Sequence, residues 1–131
     1  MSTKSIITTL KPAELTTLQN AFTNRIIVVK IGAEWCGPCK FIKPTWNEWI
    51  QKAGPNIIIA DLDGDQDENI ELIGNLRTKK MMKGIPVIFA YYGDIERDHW
   101  YIPDDSVIGG DLNQVNAFFE RCTKKAMTLS K

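Results

Sequence analysis

The chain has little with which to hold a metal, a membrane or a disulfide scaffold. Among its 131 residues there is one histidine, His99, and only three cysteines. An odd cysteine count, with Cys36 and Cys39 close together and Cys122 remote, is not the framework of a small secreted disulfide protein. It leaves one redox or metal pair and a spare thiol. A structural zinc site takes four ligands, and beyond the pair only His99 and Cys122 could supply them. Net charge is missing as well: 16 lysines and arginines balance 16 aspartates and glutamates. Nothing therefore argues for nucleic acid or an anionic membrane as partner. No apolar run approaches the ~20 residues of a membrane helix. The stretch Met1–Leu10 mixes in too many serines and threonines for a signal-peptide core. These absences set an expectation of a soluble, cytoplasmic protein with no metal.

What is there is enough for a packed core. The composition is 44% hydrophobic and 24% charged, and the length suits one domain spanning residues 1–131. Strands are expected at Lys4–Leu10, Arg25–Gly32, Asn56–Asp63 and from Val87 to about Tyr92. The run Ile26-Ile27-Val28-Val29-Lys30-Ile31 is β-branched and apolar, the mark of a strand buried on both faces. Helices are expected from Pro12, with Leu15, Leu18 and Phe22 on one face. Others run from Gly37 to Ala53 (Ile42, Trp46, Trp49 and Ile50), over Asp67–Thr78 (Ile70, Ile73 and Leu76, with Leu72 a further candidate), and from Leu112 behind an Asp111 cap. On the last, Leu112, Val115, Phe119, Cys122 and Ala126 share a face, which makes Cys122 a core thiol. Gly93-Asp94 turns the chain, so Ile95–Ile102 is expected to return as an antiparallel edge strand, with Pro103–Gly110 a loop. The implied order is β-α-β-α-β-α-β-β-α, an α/β fold whose crossovers are right-handed.

The chemistry gathers at Glu34-Trp35-Cys36-Gly37-Pro38-Cys39-Lys40, where a strand hands over to a helix. Cys36 falls at the helix N-terminus, where unpaired N–H groups and the dipole stabilise an anion. A thiolate is such an anion and is the nucleophile of disulfide exchange. Cys39 lies one turn further on, within reach of Cys36. Pro38 in the first turn costs no helical hydrogen bond. The carboxylates of Asp61, Asp63, Asp65 and Asp67 alternate as in a calcium loop. An EF-hand, however, wants glycine at its sixth position and glutamate at its twelfth, and here those are Gln66 and Leu72. A solvated turn with a helix cap fits better.

At Trp35-Cys36-Gly37-Pro38-Cys39-Lys40 the sequence resembles the active-site hexapeptide of the thioredoxin family. Ala33-Glu34 before it and Pro44 inside the following helix extend the likeness. The resemblance runs from roughly Ser5 to Ala126 and implies a mixed sheet of about five strands with helices on both faces. It also implies a thiol–disulfide oxidoreductase that reduces protein disulfides through Cys36 and Cys39 without a cofactor. A thioredoxin reductase-like enzyme or a sulfhydryl oxidase would recycle it. Under the same resemblance Gly84-Ile85-Pro86-Val87 is the cis-proline loop. Ile85 and Pro86 would then meet the substrate beside Trp35, and Gly109 or Gly110 would keep the groove open. A scaffold or binding subunit, or a dithiol relay fed by a sulfhydryl oxidase, is the alternative. Asp65–Ile85 and Gly93–Gly110 look longer than in compact thioredoxins and could be partner surfaces.

One departure from the family is sharp. Thioredoxins hold an aspartate six residues before the first cysteine and often a lysine near it on the neighbouring strand. Here Lys30 stands at the first place and Asp61 at the second. A lone buried ammonium is costly, so Lys30 is expected to pair with Asp61 and to favour thiolate at the dithiol. Trp46, Trp49 and Trp100 are expected to pack, and His99 to lie on the surface.

Overall fold

The computed structural model describes residues 5–129; Lys4, the first residue of the expected opening strand, lies outside them. In chain order the elements are β1 (Ile6–Ile7), α1 (Pro12–Ala21), β2 (Ile26–Gly32), α2 (Gly37–Lys52), β3 (Ile57–Asp63), α3 (Ile70–Thr78), β4 (Val87–Tyr92), β5 (Asp105–Ile108) and α4 (Leu112–Leu129). The five strands make one sheet in the order β1-β3-β2-β4-β5. β1 and β2 both pair parallel to β3, whereas β4 runs antiparallel to β2 and β5 antiparallel to β4.

β2 sits in the middle, and every one of its residues is buried. Because side chains alternate across a strand, its two faces feed two cores. Ile26 and Val28 join Ile57, Ile59, Ile42, Trp46, Phe118, Phe119 and Cys122 beneath α2 and α4. Ile27, Val29 and Ile31 join Leu10, Leu15, Leu62, Leu72 and Leu76 beneath α1 and α3. Lys30 and Gly32 continue the first of these faces, toward α2. That face also holds a run of rings: Trp46 against Trp49 and Phe119, with Trp49 and Phe119 stacked 4.5 Å apart.

The expected architecture holds, with three corrections. The opening strand pairs only over Ile6–Ile7. The third helix opens with a 3-10 turn at Asp67–Asn69, which rotates Ile70 out to solvent; Leu72, Ile73 and Leu76 are the buried positions. Most plainly, Ile95–Ile102 is not a strand. The edge strand is Asp105–Ile108, within the stretch read as a loop. Arg97 is the physical reason. Its guanidinium donates to the carbonyls of Ile102 and Tyr92 and pairs with Asp104. The carbonyls at the two ends of the excursion are thus satisfied by a side chain instead of a neighbouring strand.

Asn69 was not singled out by the sequence pattern, yet it is fully buried. Its side-chain oxygen accepts from the Leu10 N–H at 2.9 Å. Its amide group donates to the carbonyls of Thr8 and Asp63 at 3.2 and 3.1 Å. It ties the β1–α1 connection to the turn after β3.

Candidate functional site

The β2–α2 junction builds the site. Cys36 caps α2, with extended backbone (φ −83°, ψ 115°), and its sulfur accepts from the Cys39 N–H at 3.2 Å. Side-chain capping satisfies one of the helix's unpaired donors. Cys36 and Cys39 are joined as a disulfide, with α-carbons 5.2 Å apart. Gly37 and Pro38 form the first turn of α2 between them. Both cysteines are equally buried in this oxidised state, so exposure does not rank them as nucleophile. Their surroundings differ instead. Cys36 Sγ lies 3.8 Å from the Ile85 carbonyl oxygen, whereas Cys39 borders a cavity on the other side of the helix start.

The neighbouring loops converge on the dithiol. The Ile85–Pro86 peptide is cis, as the resemblance implied, and Pro86 is buried while Ile85 is half-buried. The Pro86 carbonyl accepts from the Gly109 N–H at 2.8 Å, which draws the end of β5 to the same place. The two candidate glycines now separate by role. Gly109 has φ +92°, a conformation side chains resist. Gly110 is the one against the active helix, since a Cβ on it would sit 3.1 Å from Pro38 Cβ. Trp35 is 70% exposed and its indole N–H donates to Asp65 Oδ2 at 2.7 Å. Its ring therefore stands out beside the dithiol, held by a carboxylate of the acidic turn whose alternation gave no hint of this partner.

Lys30 and Asp61 do meet. They are register partners across β2 and β3, and Lys30 Nζ donates to Asp61 Oδ1 at 3.1 Å. The other carboxylate oxygen accepts from the Trp46 indole N–H at 3.1 Å, so Trp46 holds the pair as well as packing. The Lys30 ammonium also lies 5.5 Å from the centre of that ring, within cation–π range. Residue Lys30 is only 7% exposed. The remaining carboxylates of the acidic turn diverge: Asp63 accepts from the Asp65 N–H, and Asp65 holds Trp35.

Residues with duller prospects fall where expected. Cys122 is buried under α4, and burial pushes its thiol up to about 12. His99 is exposed and stacks on Tyr101. Trp100 packs against the α1–α3 core. Among the described residues no helix is long and apolar enough to cross a membrane.

With the geometry in place, comparison with known proteins gives a consistent answer. A thioredoxin from Ophiophagus hannah is 36% identical over 47 residues, 36% of this chain and 44% of that one. Thioredoxin-T of Drosophila melanogaster is 26% identical over 73 residues, 53% of this chain and 46% of its own. These matches span less than half of either relative's length. The structure of the reduced Schistosoma mansoni thioredoxin pre-protein superposes with a TM-score of 0.65, covering 90% of this chain and 98% of that one at 24% identity, a likeness of fold. The thioredoxin family profile matches residues 8–98. A chain with this sheet, this dithiol at the start of α2 and this match belongs to the thioredoxin family.

Proposed function

We propose that the protein is a thiol–disulfide oxidoreductase that reduces disulfides in other proteins. The carrying observation is the Cys36–Cys39 pair at the N-terminus of α2, with Ile85, Trp35 and Gly110 around it. In the reduced protein the Cys36 thiolate attacks a substrate disulfide and forms a mixed disulfide, releasing one substrate thiolate. Cys39 then loses its proton and attacks the Cys36 sulfur. The second substrate sulfur leaves, and two electrons have passed from the dithiol to the substrate. The half-buried Ile85, with its carbonyl beside Cys36, suits an extended substrate strand. A reductase would return the electrons.

Lys30 lends some weight to the dithiol relay, because a cation near the pair stabilises thiolate and makes a dithiol more oxidising. Two measurements decide. Cys36→Ser should abolish reduction of insulin disulfides, and Cys39→Ser should trap substrates as mixed disulfides. Failure to recover any adduct from Cys39→Ser would refute the two-step route. Equilibration with glutathione gives the potential, and a value well above that of the glutathione pool would favour the relay.

A further inference from the structure

The residues behind Cys39 form an arrangement that the substrate-side chemistry does not use. A cavity of about 740 Å³ opens there, bordered by Cys39 itself. Its charged lining comes from every element around it: Lys30 from β2, Glu34 from the β2–α2 turn, Lys40 and Lys43 from α2, and Asp61 and Asp63 from β3. Lys40, Lys43 and Glu34 are exposed, so water screens them. Lys30 is the buried charge. A Cβ on Gly32 would lie 3.2 Å from Cys39 Sγ and 3.7 Å from Lys30 Nζ. The ammonium is therefore within about 7 Å of the sulfur, with no side chain at Gly32 between them.

We propose that Lys30, braced by Asp61 and Trp46, is a positioning residue for the second half of the reaction, and that the cavity is where the Cys39 proton leaves. This rests on the reading of the dithiol as a disulfide reductase. In the resolving step the Cys39 S–H bond breaks and its proton passes to water in the cavity. The new thiolate forms the S–S bond to Cys36, the Cys36–substrate bond breaks, and the substrate sulfur departs with the electron pair. An ammonium is already fully protonated, so Lys30 cannot take the proton. It acts by favouring the charge that the thiol acquires, and Asp61 offsets part of its field while holding it in place.

This role has a kinetic signature distinct from general damage. A lower thiol pKa raises the thiolate fraction at neutral pH but makes each thiolate a weaker nucleophile, with a Brønsted coefficient of ~0.4–0.5. The test is stopped-flow reduction of Ellman's reagent by the reduced protein. Its first release of yellow thiolate reports attack by Cys36, and its second reports resolution by Cys39. In Lys30→Met we expect the midpoint of the second phase to rise by about one pH unit. The second phase should be about threefold slower at pH 7 and about threefold faster above the midpoint, with the first phase within about twofold of the parent. Lys30→Arg should restore the parent profile. Asp61→Asn should move the midpoint the opposite way, because the ammonium's field is then unopposed. A second phase unmoved in Lys30→Met would overturn the proposal. So would midpoints moving the same way in Lys30→Met and Asp61→Asn, or failure of arginine to rescue. If the parent protein itself shows no first phase, the reductase reading falls, and this proposal with it.

Discussion

Exchanging the two charges between β2 and β3 is a direct test of how the buried pair is held. Lys30→Asp would set two carboxylates opposite each other at paired positions, where now an ammonium donates at 3.1 Å. Removing one partner of a fully buried ion pair costs about 3–5 kcal/mol. Here the discount comes from Asp61, whose side chain is 36% exposed against 9% for Lys30. Its carboxylate also keeps the Trp46 N–H and can recruit water from the cavity. We therefore expect a loss of about 2–3 kcal/mol for Lys30→Asp, or roughly 8–10 °C in Tm for a chain of this size. Asp61→Lys alone should cost about as much, since it places two ammonium groups together. Combining the two changes restores one charge of each sign and should regain more than half of the summed loss, with a coupling of about 3 kcal/mol, the upper end of the usual range for contacting residues. Urea unfolding of the four oxidised proteins, followed by tryptophan fluorescence, measures each corner of the cycle. Keeping the disulfide closed removes the redox state as a variable. If the double variant is as unstable as the two single losses added together, then the strands impose a geometry that only the present orientation satisfies, and the pairing argument fails.

Two further outcomes follow from the cysteines. In the reduced protein, brief iodoacetamide treatment near neutral pH should label Cys36 first, because it caps α2 while Cys39 lies a turn deeper; peptide mapping that finds Cys39 modified first would reverse the assignment. Cys122 should stay unlabelled until the protein unfolds, since burial pushes its thiol up to about 12. The same burial predicts alkaline weakness. Cys122, and Tyr92, which desolvation also pushes up to about 12, stay protonated in the fold at pH values where they ionise in the unfolded chain. Protons are then bound more tightly by the native state, so stability is full below the ordinary thiol value and falls as pH rises toward 12. Urea midpoints of the oxidised protein between pH 8 and 11 should decline, and Cys122→Ala should decline less steeply though from a lower starting stability; identical slopes would show that Cys122 takes no part.

The parts of the site legible in the sequence were those with a local cause. Cys36 sits between a β-branched run and an amphipathic helix, so its place at a helix start follows from its flanks. Lys30 shares the parity of Ile26 and Val28 on a strand buried on both faces, which aims it at α2 and makes a partner obligatory. Less legible were features resting on contacts distant in the chain. Asp65 holds Trp35, and Trp46 completes the Asp61 carboxylate; the acidic alternation and the apolar helix face mark these residues but do not name their partners. The misplaced edge strand has the same origin. Ile95–Ile102 offers β-compatible residues after a turn, whereas Pro103-Asp104-Asp105 looks like a loop. Arg97 reverses that reading by bonding carbonyls at both ends of the excursion. Asp104 receives the Tyr92 N–H and delivers the chain to β4 for a short antiparallel pairing.

The buried Asn69 gives the molecule a mechanical property. Three backbone segments meet on one amide group: the chain leaving β1, the entry to α1 at Leu10, and the end of β3 at Asp63. Two residues beyond Asp63 is Asp65, the anchor of the Trp35 ring. An edge strand of two residues would ordinarily fray independently of everything else. Through Asn69 its release would strand buried polar groups at the base of the turn that steadies the indole. The looseness of the amino-terminal edge and the steadiness of the tryptophan beside the dithiol are thus one degree of freedom, and slow amide exchange at Leu10 becomes a gauge of how firmly the rim around the Cys36–Cys39 pair is held.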